Sequence, residues 1–387
     1  MAALGAFLAG TPAAAGDPED TAEATAAAAP KPASKLRSEE DGAFDVSSFL
    51  DKAYGFVPIL MPITEPAVGY GGALGFVFIN RPIAESVKAG FGRPNLSMIG
   101  GAATENGTRA VMAADVRQWM DDRVQTVAAL LDAKLNLDFY GIGKDETLEH
   151  DPLRYTLEPL GGGVRGRVRL GASSRLWVGM SYALADTHIT FDDASLAAAL
   201  LDPPEDSRVG GLTPSIAFDS RDNLFTPTRG TYFEGSTGVF DEALGGDTSF
   251  QRVALAWIAY HPLSPRVFFG VRSGLTFSFS DPPFYMLPYI SLRGAPVLRY
   301  QGEQVAEVET EVRWQCFKRW SVVGFVGTGA AWNGFQDTDD VKSIVTGGTG
   351  FRYELARKYG LHVGADVAWG PDDSAIYIQF GSAWARP

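Results

Sequence analysis

Cysteine is nearly absent. Cys316 stands alone in 387 residues, which excludes an internal disulfide and any multi-cysteine metal site. Histidine is scarce too, with only His150, His188, His261 and His362 scattered along the chain. No run of 18 apolar residues occurs beyond the N-terminus, so no transmembrane helix is expected. Basic charge is in deficit: 33 Lys and Arg against 46 Asp and Glu give a net charge of -13, which argues against nucleic acid as a partner, since that needs a basic face. Charged residues make up only 20%, an unusual share for an enzyme of mixed helices and strands. No phosphate loop, cofactor fingerprint or metal-ligand spacing appears, so no cofactor and no metal are expected. His362 and Asp366 share one face of an extended stretch but lie roughly 13 Å apart at about 3.3 Å per residue, too far for a direct hydrogen bond. His188 beside Asp186 is an ordinary loop composition, and no enzyme is expected.

What is present is glycine, 44 residues, and aromatics at 12%, in one repeated rhythm. From about residue 55, stretches of roughly 10 to 17 residues alternate apolar with polar or small side chains, broken by Gly, Asp, Pro or Asn clusters. In "VFFGVRSGLTFSFS", Val267, Phe269, Val271, Leu275, Phe277 and Phe279 share a face opposite Arg272 and Thr276. In "VTGGTGFRYELAR", Val345, Thr349, Phe351, Tyr353 and Leu355 oppose Thr346, Arg352 and Glu354. In "LHVGADVAWG", Val363, Val367 and Trp369 oppose His362 and Asp366. Sixteen such segments are predicted: 56–63, 68–79, 95–104, 108–119, 122–139, 153–169, 174–188, 208–219, 229–240, 248–262, 266–280, 303–316, 319–333, 344–357, 360–370 and 374–384. An even number of alternating segments, long enough to cross a bilayer at a tilt, defines an all-β, 16-stranded antiparallel transmembrane β-barrel. A large soluble sandwich or propeller would have strands nearer 5 to 6 residues. Its expected place is the outer membrane of a Gram-negative bacterium.

The connections sort into two sets. "WMDDR", "GASSR", "HPLSPR", "CFKR" and "ARKYG" are short and carry a basic residue; "GKDETLEHD", "FDDASLAAALLDPPEDS", "DEALGGD", "FQDTDD" and "PDD" are longer or acidic. Short periplasmic turns and longer external loops are the pattern of bacterial outer-membrane barrels. The partners implied are outer-membrane lipid and lipopolysaccharide, whose divalent ions the acidic loops could bridge. "MAALGAFLAGTPAAAG" has a short apolar core and then Ala13-Ala14-Ala15, the small-residue pattern at which signal peptidase cuts, although a basic first region is missing. Residues 1–16 are therefore expected to be a signal peptide, the Ala-, Pro- and acid-rich residues 17–54 a disordered linker, and 55–387 the barrel.

Three motifs remain. "FDSRDNLFTPTRGTYFE" places Asp219, Arg221, Asp222, Pro227, Arg229 and Gly230 in a turn between two segments; Pro227 fixes φ and Gly230 permits chain reversal. "LRGAPVLRYQGE" puts Arg293 and Gly294 at the tip of a long connection. Directly after it, "EVETEVRWQ" puts Glu307, Glu309, Glu311 and Arg313 on one face, opposite Val308, Val312 and Trp314. Stacked carboxylates repel and call for a cation, either Arg293 with charge-assisted bonds or Arg313 alone. The third motif is the closing run 348–384.

These three pieces, in this order over residues 208 to 387, resemble the BamA/TamA family of outer-membrane assembly factors, the bacterial surface antigen family. The resemblance implies sixteen strands and a sixth external loop folded inward, its tip Arg293 paired with Glu309 and Glu311. It also implies assistance to insertion of outer-membrane proteins or to translocation of a partner, through a weak seam between first and last strands. Pro58 and Pro62, which cannot donate ladder hydrogen bonds, fit such a seam. Three features depart from the family. Gly327 stands where the thirteenth strand commonly carries an acid, leaving Asp366 or Glu354 to substitute. Residues 17–54 are too few and too polar for a periplasmic substrate-handling (POTRA) domain. The chain also runs past its last aromatic, Trp384. Partners implied are unfolded outer-membrane protein clients and a periplasmic subunit. The alternatives are a passive or loop-plugged pore, its water held by lumen residues such as Arg252, Arg272, Arg352, Glu354 and Asp366, and a barrel subunit that works with a separate periplasmic partner.

Overall fold

A computed structural model describes residues 36–38, 40–52, 55–79, 95–142, 148, 151–171, 174–201, 203–334, 341–372 and 374–384. The expected signal peptide, and most of the acidic loops 143–151 and 335–340, lie outside the described residues.

Sixteen strands form one antiparallel sheet in sequence order. They are β1 (Gly55–Glu65), β2 (Gly69–Ile79), β3 (Leu96–Thr104), β4 (Arg109–Trp119), β5 (Val124–Phe139), β6 (Leu153–Arg169), β7 (Leu176–Phe191) and β8 (Asp206–Asp219), followed by β9 (Gly230–Phe240), β10 (Phe250–Ser264), β11 (Val267–Phe279), β12 (Gln304–Gln315), β13 (Trp320–Trp332), β14 (Lys342–Ala356), β15 (Leu361–Trp369) and β16 (Ser374–Phe380). Two short helices flank them, α1 (Ser47–Lys52) and α2 (Ala194–Leu200). Alternation sets the faces: Leu60, Val111, Leu130 and Val345 are 75%, 58%, 67% and 65% exposed, while Ala73, Ala114, Ala133 and Thr346 on the opposite face are buried. The exposed apolar face is the one that meets lipid, and the sheet is a nearly closed barrel.

Among the described residues, no hydrogen-bonded ladder closes the barrel. β16 lies beside β1, but among the described residues no ladder joins them. β16 is also shorter than the predicted 374–384. It stops at Phe380 because Gly381 takes a left-handed φ of +78°, and the chain then turns to donate Gly381 N to His362 O and Ser382 N to Phe225 O.

Antiparallel order puts alternate connections on opposite edges, and length does not sort them as cleanly as the short-and-long division predicts. The edge with the long loops also carries the tight turns after β1 and β3, while the other edge carries the ten-residue connection 220–229. Turn length follows the local residues: that connection is long because it packs against neighbouring turns and the C-terminal segment, described below.

Residues 36–52 were expected to belong to a disordered linker, and the structure corrects this. Arg319, in the turn between β12 and β13, donates Nε to Asp41 Oδ2 at 2.6 Å, Nη2 to Asp41 Oδ1 at 2.9 Å and Nη1 to Asp45 Oδ2 at 2.8 Å. Arg357 reaches Glu40 at 2.9 Å, Val46 N donates to Leu355 O, and Val46 and Leu50 pack on Ala356 and Tyr359. The acids that read as part of a disordered linker instead pair with two arginines of the turns after β12 and β14. This strap packs under the turns after β12 and β14. The Arg319 guanidinium holds the Asp41 carboxyl well below the usual carboxylate range.

The inner face is divided. On β6 to β16 it carries charge, as the last third of the sequence predicts. On β1 to β5 the one charged residue is Glu65 at the end of β1, and Met61, Val77, Met98, Met112, Val116 and Leu131 line the rest with mostly small side chains between them. The rule read from the C-terminal segments fails there because charge on β4 and β5 sits on the opposite, outward positions, at Arg109, Asp115, Arg117, Asp132 and Lys134.

Candidate functional site

Arg293 lies in the connection 280–303, between β11 and β12, with its side chain 7% exposed. Its Nε and Nη2 donate to Glu309 Oε1 at 3.1 and 2.8 Å, and its backbone N reaches Glu309 Oε2 at 3.3 Å. Nη1 donates to Asp366 Oδ2 at 2.8 Å. Nη2 also sits 2.9 Å from Glu311 Oε2, but that oxygen makes no aligned hydrogen bond, so Glu311 contributes mainly charge. The guanidinium stacks 3.6 Å from the Phe325 ring centroid. One arginine thus joins β12, β13 and β15, in a site dry enough to strengthen each contact.

The expected substitution for the missing acid is made by Asp366. It lies opposite Gly350 in the register of β14 and β15, and Arg352 clamps it from the other side at 2.5 and 2.8 Å. Gly327 has its own reason: a Cβ there would come within 3.0 Å of Leu292 Cδ2, and at Gly329 within 2.5 Å of Ile290 Cγ2. These two glycines make room for the connection that carries Arg293. Gly294, at φ +94°, has Trp369 O 2.9 Å from where a Cβ would be, so both the backbone and the space require glycine.

Other predicted residues are placed as follows. Arg313 is buried, donates Nη2 to Pro227 O at 3.4 Å and lies over the Phe268 ring; among the described residues it forms no ion pair with the carboxylates, so it does not replace Arg293. Arg272 sits 3.4 Å from Glu307 and donates to Ser291 O. Arg252 donates to Met286 O and to Ser278 Oγ. Glu354 stands apart, paired with Arg357 at 3.0 Å beside the strap.

In the turn motif, Arg221 forks onto Asp219 with two 2.9 Å bonds and covers the Tyr232 ring. Asp222 accepts from the backbone N–H groups of Thr228 and Arg229, and the Arg229 side chain is solvent-exposed. Gly230 has φ +100°, and a Cβ would lie 2.3 Å from Ser220 O. Asn223 Nδ2 donates to Tyr359 O, so this turn packs against the β14–β15 turn and the C-terminal segment.

Sequence reasoning missed the contacts that tie the connection to the seam. Gly294 N donates to the Tyr377 hydroxyl on β16 at 3.1 Å, and Val297 N donates to Glu65 Oε1 on β1 at 3.1 Å. Arg299 pairs with Asp372 at 2.7 Å and lies 3.9 Å from the Tyr140 ring centroid; the Tyr300 hydroxyl also bonds Asp372. Trp384 Nε1 donates to Glu309 Oε1 at 2.5 Å. Alternation is a local pattern and carries no signal for contacts between a loop and strands remote in sequence.

A sixteen-stranded lipid-facing barrel without a closing ladder, holding a buried arginine–carboxylate cluster beside the gap, is an integral outer-membrane protein. Residues 131–371 match the model of the Omp85 superfamily domain. The chain belongs to that superfamily. Among solved structures it is similar to Haemophilus ducreyi BamA lacking POTRA domains 1–3, with 13% identity, TM-score 0.55, 89% of this chain and 79% of that one covered. It is also similar to CdiB from Escherichia coli (10% identity, TM-score 0.58, covering 84% and 61%) and CdiB from Acinetobacter baumannii (10%, 0.57, 86% and 66%). The chain thus spans less than two thirds of either CdiB. None of the curated proteins matches it.

Proposed function

We propose that this Omp85 barrel assists insertion of outer-membrane proteins, or translocation of a polypeptide, of the BamA/TamA assembly-factor type, through the seam between β1 and β16. In this reading the connection 280–303 is an inward-folded sixth external loop, and Arg293 with Glu309, Glu311 and Asp366 is the lock that holds it. The observation that carries the reading is the unladdered seam with the Arg293 cluster bonded, through Gly294 and Tyr377, to one of its two edge strands. An edge without partners offers its N–H and C=O groups to an incoming strand. Clients are unfolded outer-membrane proteins, and a periplasmic partner delivers them to the edge that bears the strap. The outer wall contacts outer-membrane lipid, with lipopolysaccharide at the acidic external loops. The test is the folding rate of an unfolded test barrel added to liposomes holding the purified protein. Acceleration over empty liposomes, changed in Arg293→Ala, supports the reading; no acceleration overturns it.

A loop-plugged pore is the second reading, supported by the reach of the same connection to Glu65, Tyr140 and Asp372. Single-channel conductance that rises in Arg293→Ala while the client assay shows no acceleration selects it.

A further inference from the structure

The strap has a second face that its ion pairs do not use. Arg37 and Phe44 form an antiparallel bridge, closed by Asp45 N on Leu36 O and Ser38 N on Ala43 O, so residues 36–45 are a small hairpin. Residues directly opposite in an antiparallel pair lie on one side, and their neighbours in sequence lie on the other. The Asp45 side is the seated one, buried and bonded to Arg319. Phe44 and Arg37 share the opposite side, and both are exposed, Phe44 at 49%. Arg37 makes one long bond, from Nη1 to Gly42 O at 3.4 Å. The main chain of Phe44 is held in place, its carbonyl accepting from the Tyr353 hydroxyl at 2.7 Å and from Arg319 Nη1 at 3.3 Å. A single exposed phenylalanine is ordinary, but here a fixed backbone presents the ring beside a cation.

Tyr353 shows what that ring meets. On β14, Arg352 points inward to Asp366, so Tyr353 stands on the outer wall with Val345 and Phe351. Its ring lies 4.9 Å from the Trp320 ring, which lies 5.8 Å from Phe351, and Trp320 and Phe351 are exposed on the lipid-facing side. Such rings gather at the edges of the apolar band of a membrane barrel, so the Tyr353 hydroxyl marks the level of the bilayer surface, and Phe44 is fastened to it. The turn after β12 adds Phe317, 72% exposed, and an exposed Lys318. The strap's acids do not oppose anionic lipid here, because Asp41 and Asp45 are paired with Arg319 and Glu40 with Arg357. The face is thus continuous with the lipid-facing wall and offers aromatic rings flanked by Arg37 and Lys318. Rings at that level gain by leaving water for acyl chains, and the two cations suit the phosphates just above them.

We propose that the strap is an interfacial foot: Phe44, together with Phe317, enters the edge of the bilayer leaflet next to the turns after β12 and β14, and Arg37 and Lys318 hold lipid phosphates there. The occupant is phospholipid, and its binding is independent of any protein client.

The lone cysteine makes a clean test, since Cys316→Ser leaves the full chain without a thiol. In that background a nitroxide is attached at Phe44→Cys, at Val345→Cys on the outer wall as the lipid reference, or at Ala243→Cys in the exposed connection after β9 as the water reference. Each folded protein, checked by heat-modifiable mobility, is placed in nanodiscs of phosphatidylethanolamine and phosphatidylglycerol without client. Electron paramagnetic resonance then compares collisions with oxygen, which concentrates in acyl chains, and with a water-soluble nickel chelate. The Phe44 label is expected to follow Val345. Arg37→Glu should shift it toward the Ala243 value with the Val345 label unchanged, and Arg319→Gln, which unseats the strap, should do the same. A Phe44 label that matches Ala243 overturns the proposal, and so does one covered only after periplasmic extract is added, which would assign the face to a protein. A lipid-like value that persists in Arg319→Gln overturns it as well, because the nitroxide itself would then be choosing the bilayer, and indifference to Arg37→Glu overturns the phosphate contact. Because no client is present, the outcome is separate from the folding-rate test.

Discussion

The indole N–H of Trp384, four residues beyond the last strand, is bonded to the same Glu309 oxygen that receives the Arg293 guanidinium. Trp384 is 5% exposed and packs with Trp177, Tyr232 and Ile258, so the C-terminal segment lies inside the barrel wall. The end of the seam and the arginine cluster therefore share one carboxylate.

Replacing Trp384 with Phe keeps most of the volume and removes the donor. A hydrogen bond to a charged group is worth about 1.5–3 kcal/mol, and the folded barrel should lose stability of that order. Urea titration followed by heat-modifiable mobility on gels checks it; an unchanged midpoint would show that the indole bond contributes nothing.

Arg293→Ala leaves Glu309 and Asp366 buried with fewer partners, and breaking a buried pair costs about 3–5 kcal/mol. Arg293→Lys should recover little, because an ammonium cannot fork onto two carboxylates and stack flat on Phe325. The same unfolding titration separates the two variants, and equal midpoints for Lys and wild type would refute the geometric argument.

Gly294→Ala should destabilise the connection without touching any charge. Left-handed backbone costs a non-glycine residue about 1–2 kcal/mol, and its Cβ would press on Trp369 O at 2.9 Å. Faster proteolysis within 280–303 is the expected readout.

The strap should be insensitive to moderate acid. Asp41 is held low by the Arg319 hydrogen bonds, and at Asp45 the hydrogen bonds from Ser47 and Arg319 outweigh burial, which acts in the opposite direction. Carboxyls depressed in the folded state contribute stability above their unfolded pKa of about 4, and that contribution is lost as pH falls through the folded value. Protease cleavage within 36–52 should therefore be the same at pH 7 and pH 5 and rise only in stronger acid. Arg319→Gln should make the strap cleavable at pH 7.

Much of this was legible beforehand. Period-two alternation fixes strand number, and the run from Glu307 to Arg313 shows which side chains share a face. Those are local patterns. That Arg293 meets a cluster was readable from stacked acids plus resemblance, and Asp366 was one of two candidates for the substitute acid. The rest was not local. Asp41 and Asp45 read as part of a disordered linker until Arg319, 278 residues away from Asp41, is brought beside them. Trp384 was placed at the end of the last predicted strand, 374–384, because the left-handed turn at Gly381 leaves no trace in the alternation. The apolar inner wall was hidden because β4 and β5 place Asp115, Arg117, Asp132 and Lys134 on the face opposite to the one the C-terminal strands use for charge.

The strap has a mechanical consequence for the seam. The strap that precedes β1 is held to the turns after β12 and β14 by several charged bonds, whereas the far end of β1 is tied to the 280–303 connection by Val297 N on Glu65. Both ends of the first strand of the seam are therefore held by segments other than its neighbour β16, one by ionic contacts and the other by a single backbone hydrogen bond.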